Sequence, residues 1–82
     1  MAIPKIKQGT IVEIEWCDAS TQDGWVDIKD VEHGLSKVET IGYLYKQDSK
    51  VITVIFSKGE GDEVLSPFGI PTNAITSIRE LK

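Results

Sequence analysis

VETIGYLYK-QDSK-VITVIFS, residues 38–57, is the stretch that decides the fold. Its first and third segments, residues 38–46 and 51–57, are rich in the β-branched and aromatic residues that favour strands. The four polar residues between them predict a tight hairpin connection. The third segment is almost continuously apolar, which indicates a strand covered on both faces. Gly42, inside the first segment, predicts a bulge or a sharp bend.

A further strand precedes this hairpin. Residues 10–16, TIVEIEW, alternate between apolar and acidic side chains, which predicts a half-buried strand with Val12, Ile14 and Trp16 facing inward. Residues 18–24, DASTQDG, have the composition of a loop. The apolar residues from 25 to 36 keep no clean strand period, so we expect a long, partly ordered excursion with at most about one helical turn in it.

Shorter elements follow the hairpin. Residues 57–63 predict a flexible polar loop, and residues 64–66 predict a short strand that Pro67 limits. Residues 70–74 are typical of one helical turn because a proline stands near its start. Residues 75–81 predict the last strand.

These elements make residues 1–82 a single domain of the mainly β class. The order predicts a small five-stranded antiparallel SH3-like barrel with a long loop after the first strand and one helical turn before the last. Closure of the sheet would remove exposed strand edges, whose unpaired backbone groups can pair with other chains, and a chain with so small a core has little else to cover them. A chain of this length buries only about 60% of its unfolded surface, so a ligand is expected in a surface groove or between subunits.

Charge is unevenly distributed along the chain. The formal net charge is −4, and residues 18–32 hold five acids against one base, whereas residues 33–58 hold four lysines against two acids. The acidic total argues against a duplex nucleic-acid binder, and an anion site is expected on the second segment. Cys17 is the only cysteine, so no intrachain disulfide can form and a reducing compartment is the simplest interpretation. No apolar leader or membrane-spanning run is evident, which predicts a cytosolic protein.

The sequence offers little for catalysis or metal binding. Cys17 and His33 are the only candidates for a nucleophile and its base, and they are sixteen residues apart. Acidic neighbours disfavour the thiolate of Cys17, so a spare thiol and a surface imidazole are the better interpretation. The acids of residues 18–30 are spaced too loosely for a cation loop and predict a solvated acidic segment. We therefore expect neither an enzyme nor a bound metal or cofactor.

The tyrosines are the best candidates for binding. If Leu44 faces inward, Tyr43 and Tyr45 face outward together, as a protein contact patch or as a platform on which a base stacks. Lys46 and Lys50 follow closely and could meet a phosphate. The alternative is that these rings complete a thin core or line a dimer seam.

The two tryptophans flank the first loop. Trp16 is expected in the core because it alternates with the acids of the first strand. Trp25, with Gly24 before it and Asp27 after it, is expected at the surface and could stack against a ligand.

Several short motifs together resemble a family of small tailed-bacteriophage proteins, over about residues 10–81. The motifs are Val12-x-Ile14-x-Trp16-x-Asp18-Ala19, Gly24-Trp25, Thr40-Ile41-Gly42-Tyr43-Leu44, Ile70-Pro71 and a terminal strand ending in Leu81. The resemblance implies a non-enzymatic accessory protein made during infection, acting in the host cytoplasm.

The thin core, the outward tyrosines with their neighbouring lysines, and this resemblance together lead to one hypothesis. The chain is a sponge, a protein that helps a phage to evade host immunity by binding a signal molecule. Such a protein would be a homo-oligomer that sequesters a small nucleotide signal between its subunits. Stacking is assigned to Trp25, Tyr43 and Tyr45, and phosphate contacts to Lys46, Lys50, Ser20 and Thr21. Two alternatives stay open: a decoy or inhibitor that binds a host protein through its acidic loop, and a minor structural protein of the virion.

Overall fold

The computed structural model describes residues 3–19, 25, 27–30 and 35–81. The strands are β1 (Ile11–Ala19), β2 (Leu35–Gln47), β3 (Val51–Ile55), β4 (Ser57–Lys58), β5 (Val64–Leu65), β6 (Phe68–Pro71) and β7 (Ile75–Glu80). Two short 3₁₀ turns accompany them, Ile28–Asp30 and Thr72–Ala74. The mainly β class and the helical turn before the last strand, both predicted from sequence, are confirmed. No helix in the described part of the chain is long and apolar enough to cross a membrane.

Five strands form one antiparallel sheet in the order β6-β3-β2-β1-β7. Within the described residues β6 pairs only with β3 and β7 only with β1, so the sheet is open. The expected closure into a barrel is therefore wrong for this structure, because the edge strands β6 and β7 form no ladder with each other. The remaining strands, β4 and β5, form a separate two-stranded ribbon.

The predicted short strand near residue 64 belongs to that ribbon and not to the main sheet. Val64–Leu65 pairs with Ser57–Lys58, while the strand that joins β3 is Phe68–Pro71. Ser66 between them has a φ of 53°, in the left-handed region, which turns the chain sharply from the ribbon to the sheet.

The first strand has the orientation that its alternation predicts. Val12, Ile14 and Trp16 are all buried on one face of the sheet. The indole Nε1 of Trp16 donates a buried hydrogen bond of 2.9 Å to Oγ1 of Thr40 on β2. Burial of this large aromatic side chain therefore leaves no orphaned N–H.

One apolar cluster fills the inner face. It contains Ile6, Val12, Ile14, Trp16, Leu44, Ile52, Val54, Ile70 and Ile75. Ile6 lies outside the strands and is held in place through Gln47, whose Oε1 accepts from the Ile6 amide at 3.0 Å. Nε2 of Gln47 donates to the carbonyl of Pro4 at 2.7 Å, so the segment before β1 is fastened to the end of β2.

The second strand bends in its last third. Its register with β3 shifts between Leu44 and Lys46, which makes Tyr45 the extra residue of a bulge. The sequence predicted a bulge or bend at Gly42, and the bulge occurs three residues later, at Tyr45. Gly42 itself permits close approach of β3, because a Cβ there would lie 3.0 Å from the carbonyl oxygen of Ile55.

The sequence predicted that the third strand is covered on both faces, but in the structure the two faces are buried unequally. Ile52 and Val54 are buried in the inner cluster, whereas Val51 is 37% exposed. Ile55 lies opposite Tyr43 and is buried outside the inner cluster. A small second apolar site therefore exists on the outer face, where the sheet meets the ribbon.

Candidate functional site

The two tyrosines lie where β2 bends. Leu44 is 2% exposed, so the prediction that it faces inward is confirmed. Tyr43 lies on the opposite face and is half-buried, and Tyr45, the bulge residue, is 38% exposed. The strand therefore presents both rings close together on a surface that solvent reaches.

Both rings line a cavity of about 410 Å³, here called the tyrosine cleft. Ile55 contributes to its apolar lining, Gln8 and Gly9 lie on one side, and the ribbon from Lys58 to Val64 lies on the other. The volume is near the lower end of the range of about 300–1,000 Å³ found for small-molecule sites.

Backbone hydrogen bonds hold the two sides of the cleft in position. The amide of Gly9 donates to the carbonyl of Leu44 at 2.7 Å, and the amide of Leu44 donates to the carbonyl of Thr10 at 2.8 Å. Across the ribbon, the amide of Gly59 donates to the carbonyl of Glu63 at 2.9 Å. Main-chain hydrogen bonds therefore fix the backbone on both sides of the cleft.

Lys58 lines the tyrosine cleft and contacts the ring of Tyr43. Its Nζ lies 4.6 Å from the centroid of the Tyr43 ring, well within cation–π range. The sequence pointed instead to Lys46 and Lys50, and neither of these lines the cleft. Lys58 was missed because it stands in a polar segment whose return toward Tyr43 depends on the β4–β5 pairing.

A second, smaller recess of about 300 Å³ adjoins the tyrosine cleft. Lys5 and Lys7 line this basic recess, and it shares Gln8, Leu44 and Tyr45 with the tyrosine cleft. The Tyr45 side chain thus stands between the two cavities. The face carries lysines at both ends, with aromatic rings between them.

The sequence-predicted lysines lie on the β2–β3 hairpin. Lys46 is exposed on β2 opposite Thr53, beside the basic recess but not lining it. Lys50 belongs to the turn, where its amide and that of Val51 donate to Oδ1 of Asp48 at 2.7 and 2.8 Å. These two bonds hold the pKa of Asp48 below its ordinary value.

A third cavity, of about 540 Å³, lies beside that turn. Lys5, Ser49 and Asn73 contribute polar lining, and the amide of Thr72 donates to the carbonyl of Lys50 at 2.9 Å. None of the described residues that line it is aromatic, so they offer no stacking platform.

The other predicted ligand-binding residues do not join these cavities. Trp25 is fully exposed, as expected, and lines none of the three. Ser20 and Thr21 lie outside the described residues.

The electrostatics of the tyrosine cleft are mixed. Asp62 and Glu63 line it on the same side as Lys58. Along residues 3–19, 25, 27–30 and 35–81, no group of three or more His, Cys, Asp or Glu residues is placed to hold a metal ion. What the cleft offers a ligand is an aromatic face, an apolar floor, one ammonium group and two carboxylates.

Comparison of the chain with protein-family models, with curated proteins and with solved structures gives no match.

Proposed function

We propose that this chain is a non-enzymatic binding protein that takes up a small nucleotide in the tyrosine cleft. The observation that carries the proposal is the placement of the Lys58 ammonium 4.6 Å above the Tyr43 ring, inside a cavity with an apolar floor. A nucleotide needs a flat apolar surface for its base and a cation for its phosphate, and this cleft offers both.

Lys58 can exchange its present partner for a phosphate. A cation–π contact at an exposed site is worth about 0.5–1 kcal/mol. A hydrogen bond to a charged group contributes about 1.5–3 kcal/mol. The exchange is therefore favourable, and it frees the face of Tyr43 for a base.

The two carboxylates restrict how an anion can enter. Asp62 and Glu63 repel a phosphate, so the ligand must place its phosphate toward Lys58 and away from them. Replacing both with Asn and Gln should strengthen the binding of an anionic nucleotide. Weaker binding after this change would show that the carboxylates contact the nucleotide favourably, and it would contradict the expected repulsion.

Thermal-shift measurements with mononucleotides and cyclic dinucleotides test the proposal, since a ligand that binds only the folded state raises the melting temperature. Tyr43→Ser and Lys58→Ala should each abolish the shift. Lys37→Ala is the matched control, because this exposed lysine lies on the same strand roughly 20 Å from Tyr43. Absence of any shift in the unmodified protein would refute the proposal.

The biological role that we propose follows from the resemblance to tailed-phage accessory proteins. An oligomer in the host cytoplasm would sequester a nucleotide signal of antiphage immunity, with the open side of the cleft covered by a second subunit. Sedimentation analysis with and without ligand tests this part separately. A strict monomer that binds nucleotide would retain the site and contradict the inter-subunit arrangement.

We further propose that the sheet is a relaxed form of the SH3-like plan. Its strand order places the first and last strands side by side, and a 3₁₀ turn precedes the last strand. The rings of Trp16 on β1 and Phe68 on β6 are 5.8 Å apart, although two strands separate them in the sheet. Rings on these two strands can lie this close only if the sheet curls strongly. Contacts between β6 and β7 in a crystal structure would support the relation to the SH3-like plan.

A second candidate function is binding of a host protein, and one patch favours it. Phe56 and Phe68 are 46% and 38% exposed, with ring centroids 6.4 Å apart, and Leu65 is also exposed. Exposed aromatic clusters of this kind are common at protein interfaces. Serine at Phe56 and Phe68 should then abolish partner binding while nucleotide binding persists. The reverse pattern would assign function to the cleft alone.

A further inference from the structure

The tyrosine cleft and the basic recess form one continuous surface. Gln8, Leu44 and Tyr45 line both, so no ridge of other residues separates them. Lys58 lines the first cavity, and Lys5 and Lys7 line the second. A ligand that fills only the tyrosine cleft leaves Lys5 and Lys7 unused, and one that fills only the basic recess leaves Lys58 unused.

The two tyrosines offer more than one stacking position on this surface. Tyr43 and Tyr45 line the same cavity, and Tyr45 also lines the basic recess. Aromatic side chains at successive positions are used in proteins to stack successive bases of one strand. Two linked bases can therefore occupy the two rings.

The charges point to the same class of ligand. A single phosphate can approach Lys58 or Lys7, but not both, because Tyr45 lies between the two cavities. Two phosphates joined through a nucleoside can meet both lysines at once. The two carboxylates, Asp62 and Glu63, line the tyrosine cleft with Lys58, whereas neither lines the basic recess, so a second phosphate meets no carboxylate there.

From these observations we infer that the ligand comprises at least two nucleotides joined by a phosphodiester. One base lies on Tyr43, the next on Tyr45, and the second phosphate lies in the basic recess near Lys7. The inference rests on the proposed function, which it deepens by naming the substrate class. A cyclic dinucleotide and the end of a short single strand share this chemistry.

Calorimetric titration of the full chain with a length series tests the inference. The probes are AMP, linear di- and tetra-adenylate that carry a 5′-phosphate, and cyclic di-AMP. We expect at least about tenfold tighter binding for the best two-nucleotide probe than for AMP. The paired variant Lys5→Ala/Lys7→Ala should abolish the gain of the two-nucleotide probe over AMP, measured as the ratio of the two affinities in the same protein, and Lys37→Ala should leave that ratio at the value of the unmodified protein.

Salt dependence gives a second readout. Each additional phosphate contact to a single strand should steepen the plot of log K against log salt by about 0.7. The step from AMP to dinucleotide should show this increment, and the Lys5/Lys7 variant should lose it. Unchanged melting temperature in the variant excludes a folding defect as the cause.

The outcomes separate the two proposals. Equal affinity for AMP and every longer probe would overturn the inference and leave the proposed function intact. A gain with length that survives in the Lys5/Lys7 variant would also overturn it. No binding by any probe would overturn both. Preference for cyclic di-AMP would identify a messenger as the source, and preference for the tetramer would identify a strand end.

Discussion

The buried hydrogen bond between Trp16 and Thr40 provides a sharp test of the core. Thr40→Val keeps the shape of the side chain but removes the oxygen that accepts from the indole N–H at 2.9 Å. Trp16 is 7% and Thr40 9% exposed, so water cannot readily replace the lost acceptor. A buried donor left unsatisfied costs about 1–3 kcal/mol.

For a domain of this size, that cost corresponds to a fall in melting temperature of roughly 5–20 °C. Urea unfolding followed by circular dichroism measures the free energy of unfolding directly. Thr40→Ser is the matched control, because it keeps the hydroxyl and loses only a methyl group. It should cost no more than about 1 kcal/mol.

A double-mutant cycle isolates the hydrogen bond from other effects. With Trp16→Phe as the background, Thr40→Val should be nearly neutral, since no donor then remains to be orphaned. Equal destabilisation by Thr40→Val in both backgrounds would refute the assignment of its cost to this bond. So would a Thr40→Val protein as stable as the parent.

Three further predictions concern the parts that shape the site. Gly42→Ala places a Cβ 3.0 Å from the carbonyl oxygen of Ile55, so β3 must shift, and we expect a loss of about 1–3 kcal/mol in urea unfolding. Gln47→Ala removes both side-chain bonds to the segment before β1 and should raise the amide hydrogen-exchange rate of Ile6, with little change in β1. Asp48 has a lowered pKa in the fold, so its stabilising contribution is present above the ordinary carboxyl pKa of 3.8 and is lost as pH falls below it. Asp48→Asn keeps the turn acceptor and should flatten the acid limb of the stability profile, and an unchanged limb would contradict this origin.

Local patterns in the sequence were sufficient for the central strands. The alternation around Val12, Ile14 and Trp16 correctly predicts the buried face of β1, because burial on one face requires a period of two. The predicted pairing of the two hairpin strands is likewise correct, although β3 ends at Ile55 and Ser57 belongs to β4, and so is the inward orientation of Leu44. These features depend on residues close together in the chain.

Features that depend on distant pairing could not be found in this way. Phe68–Pro71 is short, follows Pro67 and ends in a proline, so its strand character depends on pairing with β3. Closure of the sheet was predicted from element order alone, which carries no information on whether the edge strands meet. Sequence patterns also gave no reason to place Lys58 beside Tyr43.

Mapping of a nucleotide onto the surface by two-dimensional NMR is the most direct test of binding in the tyrosine cleft. Titration with AMP or cyclic di-AMP should shift the amide signals of Tyr43, Tyr45, Lys58 and Gly59 in a saturable manner. Signals of the β1–β7 pair, such as Ser77, should stay in place. Shifts confined to the third cavity around Ser49 and Asn73, or no saturable shifts at all, would contradict the proposed site.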